Sequence, residues 1–415
     1  VSKVVNTFKV RASYGSLGNQ NTSSLYPTYS TIGTGTGSWI IDGTLANIAW
    51  APSLVSYNLS WEKIRTWNAG VDFGLFNNRL TGSFDYYIRK TDDMVGPSEK
   101  LPVVLGTAVP SSNNTNLKTF GWELELMWKD RLNNGLNYSA RFTLADSRTK
   151  ITRYSNPSGL IDGFYAGKYV GEIWGYETIG IAQSDQEMAE HIGRLINGGQ
   201  SNLGQDWKAG DIMYKDLNED GKIDAGSRTL QDHGDLKRIG NSTPRYNVGL
   251  ELAADWKGFD IRMFWQGTLK RDYFQGSYYF WGANGRQGPW FSTALKGHDD
   301  YFRNDEASPL GTNLNSYYPR PLFNTDKNQQ SQTKYLQDAS YLRLKNLQIG
   351  YSLPHNIVQK MGMQHLRIFA SGENLFTITS LIDFFDPESI EGGSWGHGNV
   401  YPLSRTFSFG LNVTF

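Results

Sequence analysis

The chain has 415 residues, with 40 Lys and Arg balanced by 40 Asp and Glu and no cysteine. Zero net charge supplies no phosphate-neutralising surface, which argues against nucleic-acid binding, and the lack of thiols removes disulfides, thiolate zinc sites and cysteine nucleophiles. Mean hydropathy is −0.49 and no run approaches the ~18 to 20 apolar residues of a membrane helix, while 14% aromatics and 45 glycines suit an all-β chain with many turns and interfacial girdles. The chain starts Val-Ser-Lys with no signal-peptide pattern, so it is expected to be a processed product or part of a longer polypeptide.

Strand signals recur from one end to the other. Phe8, Val10, Ala12 and Tyr14 alternate with Lys9, Arg11 and Ser13, so one face is apolar and the other polar. Trp67 to Leu75 and Leu80 to Ile88 repeat the pattern around Asn77-Asn78, which reads as a two-residue hairpin turn. Phe120 to Trp128 and Tyr138 to Leu144 flank Leu132-Asn-Asn-Gly135; Tyr246 to Leu252 and Ile261 to Trp265 flank Asp255-Trp-Lys-Gly258. A further pair spans 338–353 and 364–376, joined by Pro354 to Met363, which can form a helical turn. Leu342 and Leu344 sit in one phase and Leu347 and Ile349 in the other, so this strand should carry a bulge or leave the sheet partway. The end is the clearest of all: Phe407, Phe409, Leu411, Val413 and Phe415 share one face.

About ten strands result, joined alternately by short turns and by long connections near 16–60, 91–115, 153–243, 273–337 and 377–401. That rhythm predicts an all-β, transmembrane antiparallel β-barrel, with lipid on the apolar face and the long loops extracellular. A soluble β-sandwich is the alternative, but its strands are usually shorter, ~5 to 6 residues, and its loops lack the strict alternation.

The strongest local motif lies in loop 153–243, at residues 216–227. Asp216-Leu-Asn-Glu-Asp-Gly-Lys-Ile-Asp224 places oxygen ligands as the first nine positions of an EF-hand-type calcium loop do, with Gly221 at the sharp turn. Asp216, Asn218, Asp220, the Lys222 carbonyl and Asp224 are the expected ligands of a structural Ca²⁺. Ser227 stands where a bidentate acid is usual, so Glu219 or Asp232 would have to contribute. An ion-free Asp/Asn/Gly turn is the alternative. Ser184-Asp-Gln-Glu187 predicts a capping box opening a short helix to about Asn197.

No catalytic constellation emerges, and an enzyme is not expected. Gly392-Gly-Ser-Trp-Gly396 matches a nucleophile elbow only in letters, because its flanks are loop. The six histidines show no metal-ligand spacing. The loops are instead rich in aromatics; Trp174, Trp207, Tyr279, Trp281 and Trp290 are candidates for contact with a ligand or partner, against the plainer alternative of loop-on-loop packing.

Together these segments carry a resemblance. Arg11-Ala-Ser-Tyr-Gly-Ser-Leu-Gly-Asn-Gln20, Leu59-Ser-Trp-Glu62, Gly70 to Leu80, Gly210-Asp-Ile-Met-Tyr-Lys-Asp216, Ala339-Ser-Tyr-Leu-Arg-Leu-Lys-Asn346, Asp386-Pro-Glu388 and Thr406 to Asn412 resemble the barrel of SusC/RagA-type TonB-dependent transporters. The resemblance implies an outer-membrane importer of oligosaccharides or peptides, with a barrel of about 22 strands, a plug and a SusD-like lipoprotein lid. This chain would be the C-terminal part of that barrel, with TonB coupling carried by sequence outside it. A self-contained small barrel, such as an adhesin or protease, and a segment of a split barrel are the alternatives. The inward charges Asp72, Asp85, Arg89, Glu123, Glu125, Arg141, Glu251 and Arg262 need a wide lumen. Phe8 to Tyr14 and Phe407 to Phe415 are therefore not expected to pair with each other.

Overall fold

The computed structural model describes residues 4–20, 26–52, 54–98, 104, 107, 109–283, 285, 292, 294–391, 398, 400–401 and 403–415. Ten strands form one antiparallel sheet: β1 (Val5–Asn19), β2 (Glu62–Leu75), β3 (Leu80–Met94), β4 (Thr115–Arg131), β5 (Asn137–Arg153), β6 (Arg245–Trp256), β7 (Phe259–Lys270), β8 (Tyr341–Ser352), β9 (His365–Thr379) and β10 (Thr406–Thr414). Each pairs with its neighbours in chain order, and β1 and β10 are the two edges. Most strands exceed the ~9 to 11 residues that a tilted strand needs to cross a bilayer. Among the described residues no helix is long and apolar enough to do so.

The register turns alternation into two continuous faces. Phe8, Phe73, Gly82, Leu126, Phe142, Leu250, Trp265, Leu344 and Phe376 stand opposite one another, strand by strand, in an apolar row. One residue over, the row is Lys9, Asp72, Ser83, Glu125, Thr143, Gly249, Gln266, Arg343 and Thr377. On this polar face Arg11 holds Asp72 and Asp85, each at 2.8 Å, Glu125 meets Arg141 at 3.0 Å, and Asp260 meets Arg367 at 2.5 Å. The phase break in β8 is a bulge. Leu344 and Asn346 face consecutive residues of β7, so Lys345 is extra and Leu342, Leu344, Leu347 and Ile349 all end on the apolar face.

The turns differ from expectation in one respect. Leu75 pairs with Leu80, so the β2–β3 turn runs from Phe76 to Arg79, wider than Asn77-Asn78 alone; Phe76, Asn77 and Asn78 are all left-handed, with φ of 54°, 59° and 60°. The two-residue hairpin lies at Lys257-Gly258 instead, where Trp256 pairs with Phe259 and both turn residues have positive φ, as a type I′ turn requires.

At the other end the long connections build structure of their own. Thr34–Ile41 and Thr44–Ala49 pair as a hairpin. Helix α1 (Asp185–Arg194) opens on the Ser184 cap, whose side chain accepts from Glu187 N, and stops short of Asn197; α2 (Tyr278–Trp281) and α3 (His355–Lys360) are single turns. The main buried cluster is drawn largely from these loops: Ile161, Tyr176, Ile212, Tyr214, Ile223, Leu236, Phe280, Trp281, Tyr318, Tyr335, Phe385 and Ile390. The sheet spends its apolar face outward, so only the loops can bury a core among themselves.

Candidate functional site

The loop core is pinned by one buried carboxylate. Asp211 has no exposed surface and sits just before the short strand Ile212–Tyr214. Arg320 donates to both its oxygens at 2.7 and 2.8 Å, Asn328 donates at 2.8 Å, Lys327 Nζ lies at 2.9 Å and Lys208 N donates at 2.9 Å. The network ties loop 153–243 to loop 273–337. Burial pushes the Asp211 carboxyl up, but Arg320, Asn328 and Lys327 outweigh it and leave it below the usual carboxylate range. A second tie joins sheet to loop: Arg343 of β8, almost fully buried, pairs with Asp386 at 2.5 Å and Glu388 at 2.8 Å. Two segments that stood apart in the sequence thus meet as one ion cluster.

Two of the cavities in this layer are lined by candidate aromatics. One, of about 450 Å³, is lined by Trp174, Tyr176, Lys168, Glu172 and Arg228 and is mostly polar. The other, of about 480 Å³, is mostly apolar and is walled by Trp281, His298, Tyr301, Tyr318, Arg320 and Phe323. The apolar cavity's shape depends on His298, whose Nδ1 accepts from Leu295 N at 2.9 Å while Nε2 faces the carbonyls of Tyr279 and Phe280 at 3.0 and 3.1 Å. Burial holds that imidazole below its ordinary pKa, so it stays neutral.

The four aromatic candidates among the described residues do not form one exposed patch. Trp281 is packed in the loop core, with its ring 4.7 Å from Tyr335, and Tyr279 packs beside that core. Trp207 donates from Nε1 to the Gly204 carbonyl at 2.9 Å and carries Lys327 Nζ 4.5 Å over its ring. Trp174 lies at the polar cavity, with Arg238 5.8 Å over its ring. Trp290 lies outside the described residues, as does the Gly392–Gly396 segment. Trp174, Trp207, Tyr279 and Trp281 thus pack loop against loop, in or against the buried cluster, whereas Tyr29, Trp39 and Tyr57 of the 16–60 connection are exposed.

The calcium-like loop is folded around its own backbone. Asp216 accepts from Gly221 N at 2.8 Å, Asn218 from Asp220 N at 3.3 Å and Asp220 from Lys222 N at 3.1 Å, and Gly221 takes φ 79°. Lys222 Nζ lies 2.6 Å from Asp224. Asp232 is spent on the Ser227 amide and hydroxyl, at 2.9 and 2.6 Å. A different acid completes the loop: Asp235, fully buried, accepts from Leu217 N and Asp224 N at 2.7 and 2.8 Å, and burial together with neighbouring Asp216 and Asp220 raises its carboxyl. One Asp216 oxygen, Oδ1, is buried without a partner among the described residues. That orphan oxygen and the crowded acids suit a hard cation, although no three His, Asp or Glu groups among the described residues already form a cage.

Sequence reasoning missed Asp211, Arg320, Lys327, Asn328, Asp235 and His298. The roles of Asp211, Arg320, Lys327 and Asn328 rest on contacts more than a hundred residues apart, for which single-chain spacing carries no signal, and those of Asp235 and His298 rest on backbone groups brought to them by irregular loop turns; only Asp211 lay inside a segment singled out for its resemblance.

A family model described as TonB dependent receptor-like, beta-barrel matches residues 2–375. Among curated relatives, TonB-dependent receptor P3 of Formosa agariphila is 29% identical over all of this chain and 40% of its own length. TonB-dependent receptor SusC of Bacteroides thetaiotaomicron is 27% identical over 88% of this chain and 33% of its own. The solved RagAB peptide transporter superposes on the whole chain with a TM-score of 0.72 at 22% identity, using 42% of its own chain. The chain therefore spans about 40% of the length of the first of these relatives.

Proposed function

Since the chain belongs to the TonB dependent receptor-like β-barrel family, we propose that it is the C-terminal portion of the barrel of an outer-membrane importer. The importer takes up oligosaccharides or peptides, works with a SusD-like surface lipoprotein and is driven through TonB by sequence outside this chain. One observation carries the reading: a ten-stranded sheet with one apolar and one charged face, whose two edge strands are not paired with each other. In hydrocarbon every open N–H and C=O of β1 and β10 would cost several kcal/mol, so further strands must close the barrel. The ion pairs Arg11–Asp72–Asp85 and Glu125–Arg141 then line a wide aqueous lumen. The short turns belong to the periplasmic side and the loop layer to the cell surface, where the lipoprotein would seat on it.

Calcium is the second part of the proposal. Asp216, Asn218, Asp220, the Lys222 carbonyl and Asp224, with Asp235 behind them, would hold one Ca²⁺, whose charge neutralises these acids and braces the loop. The ion has a structural role only.

Deletion of the intact gene in its bacterium, followed by growth on oligosaccharides or peptides as sole carbon source, tests the importer. A growth defect reproduced by disrupting TonB is expected, with the lipoprotein co-purifying from the outer membrane. Normal growth on every such substrate would refute it.

A further inference from the structure

We propose that the loop-side rim of β2 to β5 carries, on its lipid-facing side, a binding site for the phosphorylated headgroup of lipopolysaccharide in the outer leaflet. The site rests on the barrel and its orientation as read above, and adds a membrane-lipid ligand to them. The register sets one cation per strand in a single line. Arg65 of β2 stands opposite Lys90 of β3, Lys90 opposite Lys118 of β4, and Lys118 opposite Lys150 of β5. Two residues nearer the short turns, and so on the same face, the row reads Trp67, Ile88, Phe120 and Arg148. At ~4.8 Å per strand the cation line is about 14 Å long. Lys90 lies about 33 Å along β3 from Leu80 at its turn, about 25 Å of height at a barrel strand's tilt, which is the height of the apolar band. The line therefore sits at headgroup level in the leaflet on the loop side.

Like charges directly opposite each other destabilise a sheet, and here they follow one another across four strands with little neutralisation from the protein. Arg65 has Asp92 at 3.4 Å. Lys90, Lys118, Arg148 and Lys150 have no ion-pair partner among the described residues. Lys90 and Lys118 lie 5.4 and 5.9 Å over the rings of Trp67 and Phe120, and Arg148 and Lys150 lie 3.9 and 5.6 Å over Tyr169. Such contacts hold the side chains and leave their charge whole. Asp146, two residues from Arg148 on the same face, is taken by Arg245. Nor is the line a belt around the sheet: on β7, β8 and β9 the outward residues at the loop end are Leu269, Leu342 and Ile378. A ligand with an anionic head and acyl chains against Trp67, Ile88 and Phe120 satisfies both rows, whereas a free anion would use only the upper one.

The test titrates the full-length protein, purified from outer membranes and delipidated in detergent, with rough lipopolysaccharide. The same lipid stripped of its phosphates, phosphatidylglycerol and inorganic phosphate are the comparisons. Lipopolysaccharide is expected to bind, more weakly as salt rises, with the stripped lipid and phosphatidylglycerol at least tenfold weaker and millimolar phosphate unable to compete. Each basic group at an anionic lipid surface is worth about fivefold, so Lys90→Gln, Lys118→Gln and Lys150→Gln together should weaken binding about a hundredfold. Lys118→Gln alone, the milder change, should cost about fivefold, and without lipid it should melt no lower than the wild type because it relieves two like-charge contacts. Arg89→Gln, one residue along β3 and on the lumen face, removes the same charge and should change nothing. Unchanged affinity in the triple variant, an equal loss in Arg89→Gln, equal binding of the stripped lipid or of phosphatidylglycerol, or full competition by inorganic phosphate would overturn the site. Those results would leave the growth defect of the deleted strain intact, so a failed lipid site is distinguishable from a failed importer.

Discussion

Asp211 shows how much of the loop layer rests on single side chains. A fully buried carboxylate is tolerable only because Arg320, Lys327 and Asn328 all reach it. Replacing it with Asn leaves two cations facing a neutral amide, and removing one partner of a buried pair costs about 3 to 5 kcal/mol. Asp211→Asn should therefore loosen both long loops while sparing the sheet, which hydrogen exchange of loop against strand amides would show. His298 supplies the pH dependence. Its folded pKa is depressed below the ordinary 6.5, so the unfolded loop takes up the proton first. Its contribution is whole above that value and is lost as pH falls below it. Loop protection should decline from pH 7 to 5, and the decline should flatten in His298→Gln; equal slopes in both proteins would refute the assignment.

At the scale of elements, period-two alternation is a statement about solvent on each face. Leu250, in the middle of β6, lies in the apolar row, and Gln266 of β7 lies in the polar row. Arginine on the lipid face near mid-bilayer costs about 2 to 4 kcal/mol, whereas a lumen position tolerates it. Leu250→Arg should sharply reduce insertion into the outer membrane, and Gln266→Arg should insert normally. Matching yields would mean the faces are assigned wrongly. The calcium-like loop is tested at this scale too. In the full-length protein, Asp216→Ala should abolish the rise in loop melting temperature that added Ca²⁺ produces and EDTA removes; a wild type indifferent to both would rule out the ion.

For the molecule as a whole, the open edges decide what kind of object the chain belongs to. Cysteines at Val10 and, in turn, at Phe407, Phe409, Leu411 or Val413 would meet at disulfide distance in some register if β1 and β10 paired. This chain has no cysteine of its own to interfere. In the full-length protein no such disulfide is expected under oxidation, because strands from the rest of the barrel lie between. An efficient crosslink in any pair would identify a closed small barrel and remove the physical ground for the importer.

The sequence by itself determined the strands, their faces and the alternation of short turns with long loops, because period-two patterning depends only on neighbours along the chain. It also marked the break in β8 without saying which remedy applied; the pairing with β7 showed a bulge at Lys345. Only the tertiary structure decided what the loops do. Their aromatics, legible as a composition, became a packed core once loops 153–243 and 273–337 met. In the calcium-like loop Asp232 is taken up by the Ser227 amide and hydroxyl, while Asp235, from outside the motif, accepts from the Leu217 and Asp224 amides. The pairing of Asp211 with Arg320 across 109 residues, and the cavity beside it, arise from contacts that no local period encodes.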